Sequence, residues 1–231
     1  MSGIVNINQP MSTEDVYKDI RKRILKLELE PGQKVSENQI CQEYNVSRSV
    51  IRTVFTRLSQ IKLIEVYPQR GTYVSMIDLN HIGDLLLLRT AVEKEVLYEM
   101  FTKLNRSDRL ILIEKLELNM HQQEQYKSIS SYDKNFRNLD SEFHKIMIDS
   151  VKRFALVELL GDHMIHISRW RNFDVAFDHR IPELIKEHQM IVDAIKMDDL
   201  QEAQSCMANH LETISTINDR AKAQFPQYFT N

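Results

Sequence analysis

The chain has little of what would place it outside the cell or inside a membrane. Its 231 residues include only two cysteines, Cys41 and Cys206. They are far apart and resemble no cysteine-type zinc site, which suits a reducing cytoplasm. No apolar run exceeds four residues, as at 85–88, whereas a membrane-spanning helix needs roughly 18 or more. The opening MSGIVNINQP lacks the basic-then-apolar order of a secretory signal. Glycine and proline number five each, so strong chain breakers are rare and helix is the expected default. There is no glycine-rich phosphate loop, fixed-period repeat or low-complexity linker. Strong net charge is also missing: the total is −3, with 42% hydrophobic and 27% charged residues, as in a globular protein.

The modest charge is unevenly placed. Residues 1–75 carry 11 Lys and Arg against 8 Asp and Glu, a net +3, and the remainder carries 19 against 25, a net −6. A basic first third attached to an acidic body points to nucleic acid contact at one end only.

Residues 36–63, SENQICQEYNVSRSVIRTVFTRLSQIKL, are the most informative stretch. Ser36 and Gln39 form a capping box that opens a short helix with Ile40 and Tyr44 inward. Asn45 tolerates a left-handed turn, Val46 plugs it, and Ser47 can cap the next helix. There Ile51, Val54, Phe55 and Leu58 form the buried stripe. Arg48, Ser49, Arg52 and Thr56 lie on another face near the N-terminal end, where recognition helices touch base edges. Arginine pairs bidentately with guanine; Arg57 and Lys62 suit phosphates. A preceding helix starts after Ser12, with Val16, Ile20, Ile24 and Leu27 at helical spacing, and stops at Pro31-Gly32. Residues 63–75 read as two strands around a turn at 68–71. This makes the helix-turn-helix winged and puts Arg70 at the wing tip, in reach of a minor groove or phosphate.

From residue 78 onward no strand pattern appears. Six amphipathic segments follow, near 79–103, 107–127, 132–150, 153–172, 180–197 and 199–221, with short breaks that imply an antiparallel bundle. The closing QFPQYFTN reads as a loose tail. The expected fold is therefore mostly α: an N-terminal winged helix-turn-helix over 1–76, then an antiparallel α-helical bundle of about six helices over 77–231.

Four ionisable residues interrupt the bundle's apolar stripes, where a charge is costly unless paired or bound. Asp140 sits among Phe136, Phe143 and Met147, with His144 one turn on. His188 sits among Leu184, Ile185, Ile191 and Val192, and His210 beside Cys206, Met207 and Ile214. One aspartate and three imidazoles from three helices suit a divalent transition metal; hydrogen-bonded core histidines are the plainer alternative. Arg89 is inward among Leu85, Leu86, Val92 and Val96, with Glu93 as its simplest partner. His163, His166 and Arg169 are candidates to line a pocket, against a plain polar face made with Asp162 and Arg171.

The VSR…R…L core and the P-x-R-G-x-x-V wing, PQRGTYV, resemble the N-terminal domain of GntR-family bacterial transcription regulators over about residues 12–76. The resemblance implies operator contacts from Arg48, Ser49, Arg52, Arg70 and Gly71. Asn45 stands where glycine is usual, Ser49-Val50 where Thr-Pro is usual, and Ile61-Lys62 where Glu-Gly is usual, which leaves the operator sequence open. D-x-x-x-H at 140–144 and EHQMIVDAIKMDDLQEAQSCMANHL at 187–211 are similar to the FCD effector domain of FadR-type members, over about 80–220. That likeness implies a Zn, Ni, Mn or Fe ion on Asp140, His144, His188 and His210. It also implies Arg89 as a clamp for the carboxylate of a small organic acid, a homodimer and a cytoplasmic regulator without enzymatic activity. Read from the residues alone, a metal-dependent hydrolase or a purely structural dimerisation block remains as an alternative.

Overall fold

The computed structural model describes residues 11–128, 134–178 and 180–230, less the side chains of 134, 162, 163 and 172–178. The expected break at 128–131 and the start of a segment at 132 fall mostly outside these residues. The chain forms two compact units, one made of 1–78 with 221–231 and the other of 79–220.

In the first unit, α1 (Thr13–Leu25) begins where the Ser12 hydroxyl accepts the Asp15 amide at 3.1 Å. In α2 (Glu37–Tyr44), Ser36 accepts the Gln39 amide at 3.4 Å. Asn45 takes φ 51°, ψ 47°, and the Val46 amide closes the turn on the Cys41 carbonyl at 3.1 Å. The chain thereby turns sharply into α3 (Arg48–Gln60). Ser47 occupies the N-cap position of α3 without capping it; its hydroxyl pairs with Ser49 Oγ at 2.8 Å instead. Val16, Ile20, Ile24, Ile51, Val54 and Leu58 are buried to 1% exposure or less, so the three helices share one dry core.

The wing has three strands, ordered β1 (Lys34–Val35), β3 (Gly71–Val74), β2 (Ile64–Tyr67), all antiparallel. β1 was not expected: two residues are too short to show a period-2 pattern. Gly71 is required by its backbone, and the flexible Lys34 tail lies against it. Its φ is +113°, and a Cβ there would come within 2.8 Å of Lys34 Cε.

The second unit contains α4 (Leu79–Lys103), α5 (Arg106–Glu124), α6 (Lys134–Ser150), α7 (Phe154–Asp178), α8 (Ile181–Lys196) and α9 (Leu200–Glu212). Asn105 and Asp199 cap α5 and α9 by accepting the Asp108 and Glu202 amides at 2.9 Å. Leu97, Leu116, Phe136, Phe143, Ile191, Val192 and Met207 form the core, each at 0% exposure. α8 packs on α9 and α5, and α9 on α4. α7 runs six residues beyond the expected 172. The last expected segment is broken after Glu212 by a 3-10 turn, Thr213–Ser215, before α10 (Asn218–Gln224).

The C-terminus is not loose. The Ile77 amide donates to the Tyr228 carbonyl at 2.8 Å, and the Thr230 amide donates to the Ile77 carbonyl at 3.0 Å. Phe229 is 5% exposed. Burial and a hydrogen bond with Glu30 raise the Tyr228 phenol pKa. An aromatic-rich segment gains apolar burial by docking, and here it docks on the first unit, so the bundle does not extend to 231. Replacing this buried ring, Phe229→Ala, is expected to cost about 3 kcal/mol, read as a lower urea midpoint for the first unit.

Candidate metal centre and ligand cavity

Four-residue spacing on α6 stacks Asp140 and His144 on one face; α8 supplies His188 and α9 supplies His210. All four are buried, and one ligand atom from each lies within 4.8 Å of every other. His210 Nε2 is 3.2 Å from His188 Nε2 and 3.3 Å from His144 Nε2, and Asp140 Oδ1 is 3.6 Å from His188 Nε2.

The opposite ring nitrogens explain this convergence. His144 Nδ1 meets Glu93 Oε2 at 2.5 Å, His210 Nδ1 meets Glu187 Oε2 at 2.9 Å, and His188 Nδ1 meets Gln123 Oε1 at 2.8 Å. The Gln123 amide is itself oriented: its Nε2 donates to Asn119 Oδ1 at 2.6 Å, and Asn119 Nδ2 donates to the Leu139 carbonyl at 3.1 Å. Each imidazole therefore gives its Nδ1 proton to an acceptor, and a neutral ring then has no proton left on Nε2. Between His188 and His210, the 3.2 Å Nε2 separation then holds no shared proton. Burial, then neighbouring imidazoles, keeps His188 and His210 well below the usual histidine pKa. For Asp140, burial favours the acid, but Arg171 and then His188 outweigh it and hold the carboxyl well below the carboxylate range.

Three imidazole Nε2 atoms and a carboxylate thus face one point in a dry core. Bonds of about 2.0–2.1 Å to a shared ion bring ligand nitrogens to about 3.3 Å apart, the spacing His210 Nε2 has to those of His188 and His144. The donor set and its outer acceptors fit a divalent transition metal.

Beside this cluster, α6 and α7 enclose a cavity of about 210 Å³, lined among others by Arg89, Arg137, Asp140, His144, Leu160 and Arg171. Arg89 donates Nε to Glu93 Oε1 at 2.6 Å, while its buried Nη1 has no hydrogen-bond partner among the described residues. Arg171 donates Nη1 to Asp140 Oδ2 at 2.5 Å. On α7 the lining residues are Val157, Leu160, Gly161, Met164, Ile167, Ser168 and Arg171, a single helical stripe. His166 and Arg169 fall off that phase and do not line the cavity. His166 lies edge-on to His81 at 5.3 Å, and Arg169 is buried, its pKa lowered to about 10 by desolvation. The His163 side chain lies outside the described residues. Sequence reasoning missed Gln123, Asn119 and Glu187; the signals were polar residues at i,i+4 on the Leu112–Leu116–Met120 stripe, and a glutamate adjoining an inward histidine.

In the first unit, Arg48 and Ser49 are exposed on α3. Arg52 is 69% exposed and loosely paired with Glu37 at 3.2 Å. Arg57 turns away from them: it pairs with Glu14 at 2.9 Å and lies 3.7 Å over the Tyr17 ring, bracing α3 on α1. Arg70 is exposed at the wing tip, where its carbonyl accepts the Tyr73 hydroxyl at 3.3 Å.

Comparison with known proteins agrees with this geometry. Residues 12–74 match the bacterial regulatory proteins of the gntR family, and 84–213 match the FCD domain. The HTH-type transcriptional repressor RspR of Escherichia coli is 28% identical over 213 residues, 91% of this chain and 90% of that protein. E. coli McbR/YncC superposes with TM-score 0.61 at 17% identity, covering 97% of this chain and all of that one. A Listeria monocytogenes regulator, Lar, superposes with TM-score 0.63 at 16% identity, over 92% of this chain and 99% of its own. These likenesses to solved structures concern the fold. The matched families are regulators of transcription, so the hydrolase alternative falls away. The chain belongs to the gntR family of bacterial regulatory proteins, with an FCD domain following its helix-turn-helix: it is a DNA-binding transcriptional regulator, not an enzyme.

Proposed function

We propose that the protein binds operator DNA as a homodimer in the cytoplasm, and that a small carboxylate metabolite bound beside a metal in the FCD domain controls that binding. The observation that carries the sensor reading is the convergence of three histidine Nε2 atoms and Asp140 next to a cavity containing an unsatisfied buried guanidinium. Asp140, His144, His188 and His210 would hold the ion, which when bound supplies a Lewis-acidic anchor for an effector oxygen. Zn, Ni, Mn and Fe all accept such donors. Arg89 supplies a planar fork matched to a carboxylate, and its Nη1 gains the partner it lacks. Apolar Ile148, Val157 and Leu160 complete the wall and exclude water.

On the DNA side, Arg48, Ser49 and Arg52 read base edges, with Arg70 and Gly71 on the wing following the backbone or minor groove. Arg52 must leave Glu37 to do so, a small cost for an exposed pair. Arg57 keeps α3 in place. An effector that binds one arrangement of the dimer better than another shifts operator affinity by the difference.

Three outcomes test this. Arg48→Ala and Arg52→Ala should each weaken specific operator binding by about 1–3 kcal/mol in gel-shift titrations at fixed salt; unchanged affinity would remove the recognition helix. Protein purified without chelator should contain about one metal ion per chain by elemental analysis, and Asp140→Asn or His188→Ala should lose it. Without metal, melting temperature should fall with acidification below about pH 6.5. His188 and His210 have lowered pKa values in the fold, so the unfolded chain binds the protons first. Each contributes about 1.4 kcal/mol per pH unit below that point. A melting temperature flat from pH 7 to 5 would contradict the neutral cluster.

A further inference from the structure

The cavity beside the metal cluster has an excess of guanidinium that one carboxylate does not satisfy. We infer that its occupant is a small dicarboxylate whose second carboxylate is taken by Arg137. This rests on the cavity being the effector site.

Four cationic side chains line the cavity: Arg89, Arg137, Lys145 and Arg171. Two have carboxylate partners of their own, Arg171 with Asp140 and Lys145 with Asp149. Arg89 gives one nitrogen to Glu93 and keeps a buried Nη1 without a partner among the described residues. Arg137 is only partly exposed and makes no hydrogen bond or ion pair among the described residues. Two guanidinium groups of one cavity therefore await an anion.

They are separate points of attachment. Arg89 belongs to α4, whereas Arg137 lies on α6, three residues before Asp140. At 1.5 Å rise per residue this places Arg137 about one turn from Asp140 and two turns, about 10 Å, from His144. A monocarboxylate held by Arg89 beside the cluster has both oxygens engaged there. It also displaces water from the cavity, which leaves the part of Arg137 that lines it with less water and no countercharge. Stripping water from an unpaired charge is costly. A second carboxylate on the same ligand removes that cost and adds a bidentate pair. The volume, about 210 Å³, is below the roughly 300–1,000 Å³ of drug-sized sites, so the carbon chain between the two acids is short. Arg137 then acts as a specificity-determining residue: Arg89 recognises an acid, and Arg137 distinguishes diacids from monoacids.

Isothermal titration of the full-length protein, both Zn²⁺-loaded and metal-free, tests this with malonate, succinate, glutarate and adipate against the monocarboxylates of equal carbon number. At least one diacid should bind tenfold or more tighter than its matched monoacid, about what one charge-assisted pair contributes. Arg137→Gln, at a partly exposed position, should keep its melting temperature while that ratio falls to about one; Arg137→Lys should restore part of it. Equal binding of mono- and diacids by the unmodified protein, or a ratio that survives Arg137→Gln, overturns the inference and leaves the acid-sensing reading intact. Binding of neither series in either metal state overturns both.

Discussion

Bare nitrogen lone pairs repel one another, and a dry protein core gives them no water to face. The second unit holds three imidazole Nε2 atoms together in such a core. Glu93 on α4, Gln123 on α5 and Glu187 on α8 each face the Nδ1 of an imidazole on another helix. Remove the acceptors and the rings are free to turn a proton inward; the convergence at 3.2–3.3 Å would then be ordinary histidine pairing. The hydrophobic packing of Phe143 against His188, ring centroids 4.2 Å apart, fixes ring position, but the acceptors fix which nitrogen is bare.

Much of this was legible in the sequence, because ionisable residues on an apolar stripe stand out. Asp140, His144, His188 and His210 each broke a helical pattern of Phe, Met, Ile and Val, and all four meet. The acceptors were harder to see. Glu93 lies 51 residues from His144 and Gln123 lies 65 from His188, and periodicity along one helix says nothing about which helices will adjoin. α7 hid its own phase: with Leu, Ile, Met, Val and Trp on every side, no polar face marked its orientation. His166 and Arg169 therefore looked as eligible as Ser168 and Arg171, which actually line the cavity. The helix-turn-helix gave its outline through Ser12, Ser36 and Asn45, since caps and left-handed turns are local chemistry. The docked C-terminal segment did not, because its partner Ile77 is about 150 residues away in the chain.

The two units differ in how the same residue types are used. In the first, arginines on α3 stay exposed or weakly paired, and the one that is firmly engaged, Arg57, holds helix to helix. In the second, Arg89 and Arg171 are buried, and each is paired with a buried carboxylate, Glu93 and Asp140. A mobile, solvated guanidinium suits a polyanionic surface; a fixed, desolvated one suits a single small anion.

The amide chain behind His188 has a mechanical side. It passes from His188 to Gln123, from Gln123 to Asn119 and from Asn119 to the carbonyl of Leu139. This run of hydrogen bonds ties α8 to α5 and α5 to α6. The opposite flank of α6 faces α7 across the cavity, with Gly161 presenting no side chain there and a Cβ at that position meeting nothing within 4 Å. The cavity therefore has open space on its α7 side at Gly161. The Trp170 indole on that helix holds the Ile214 carbonyl at 2.9 Å, just beyond the helix that carries His210.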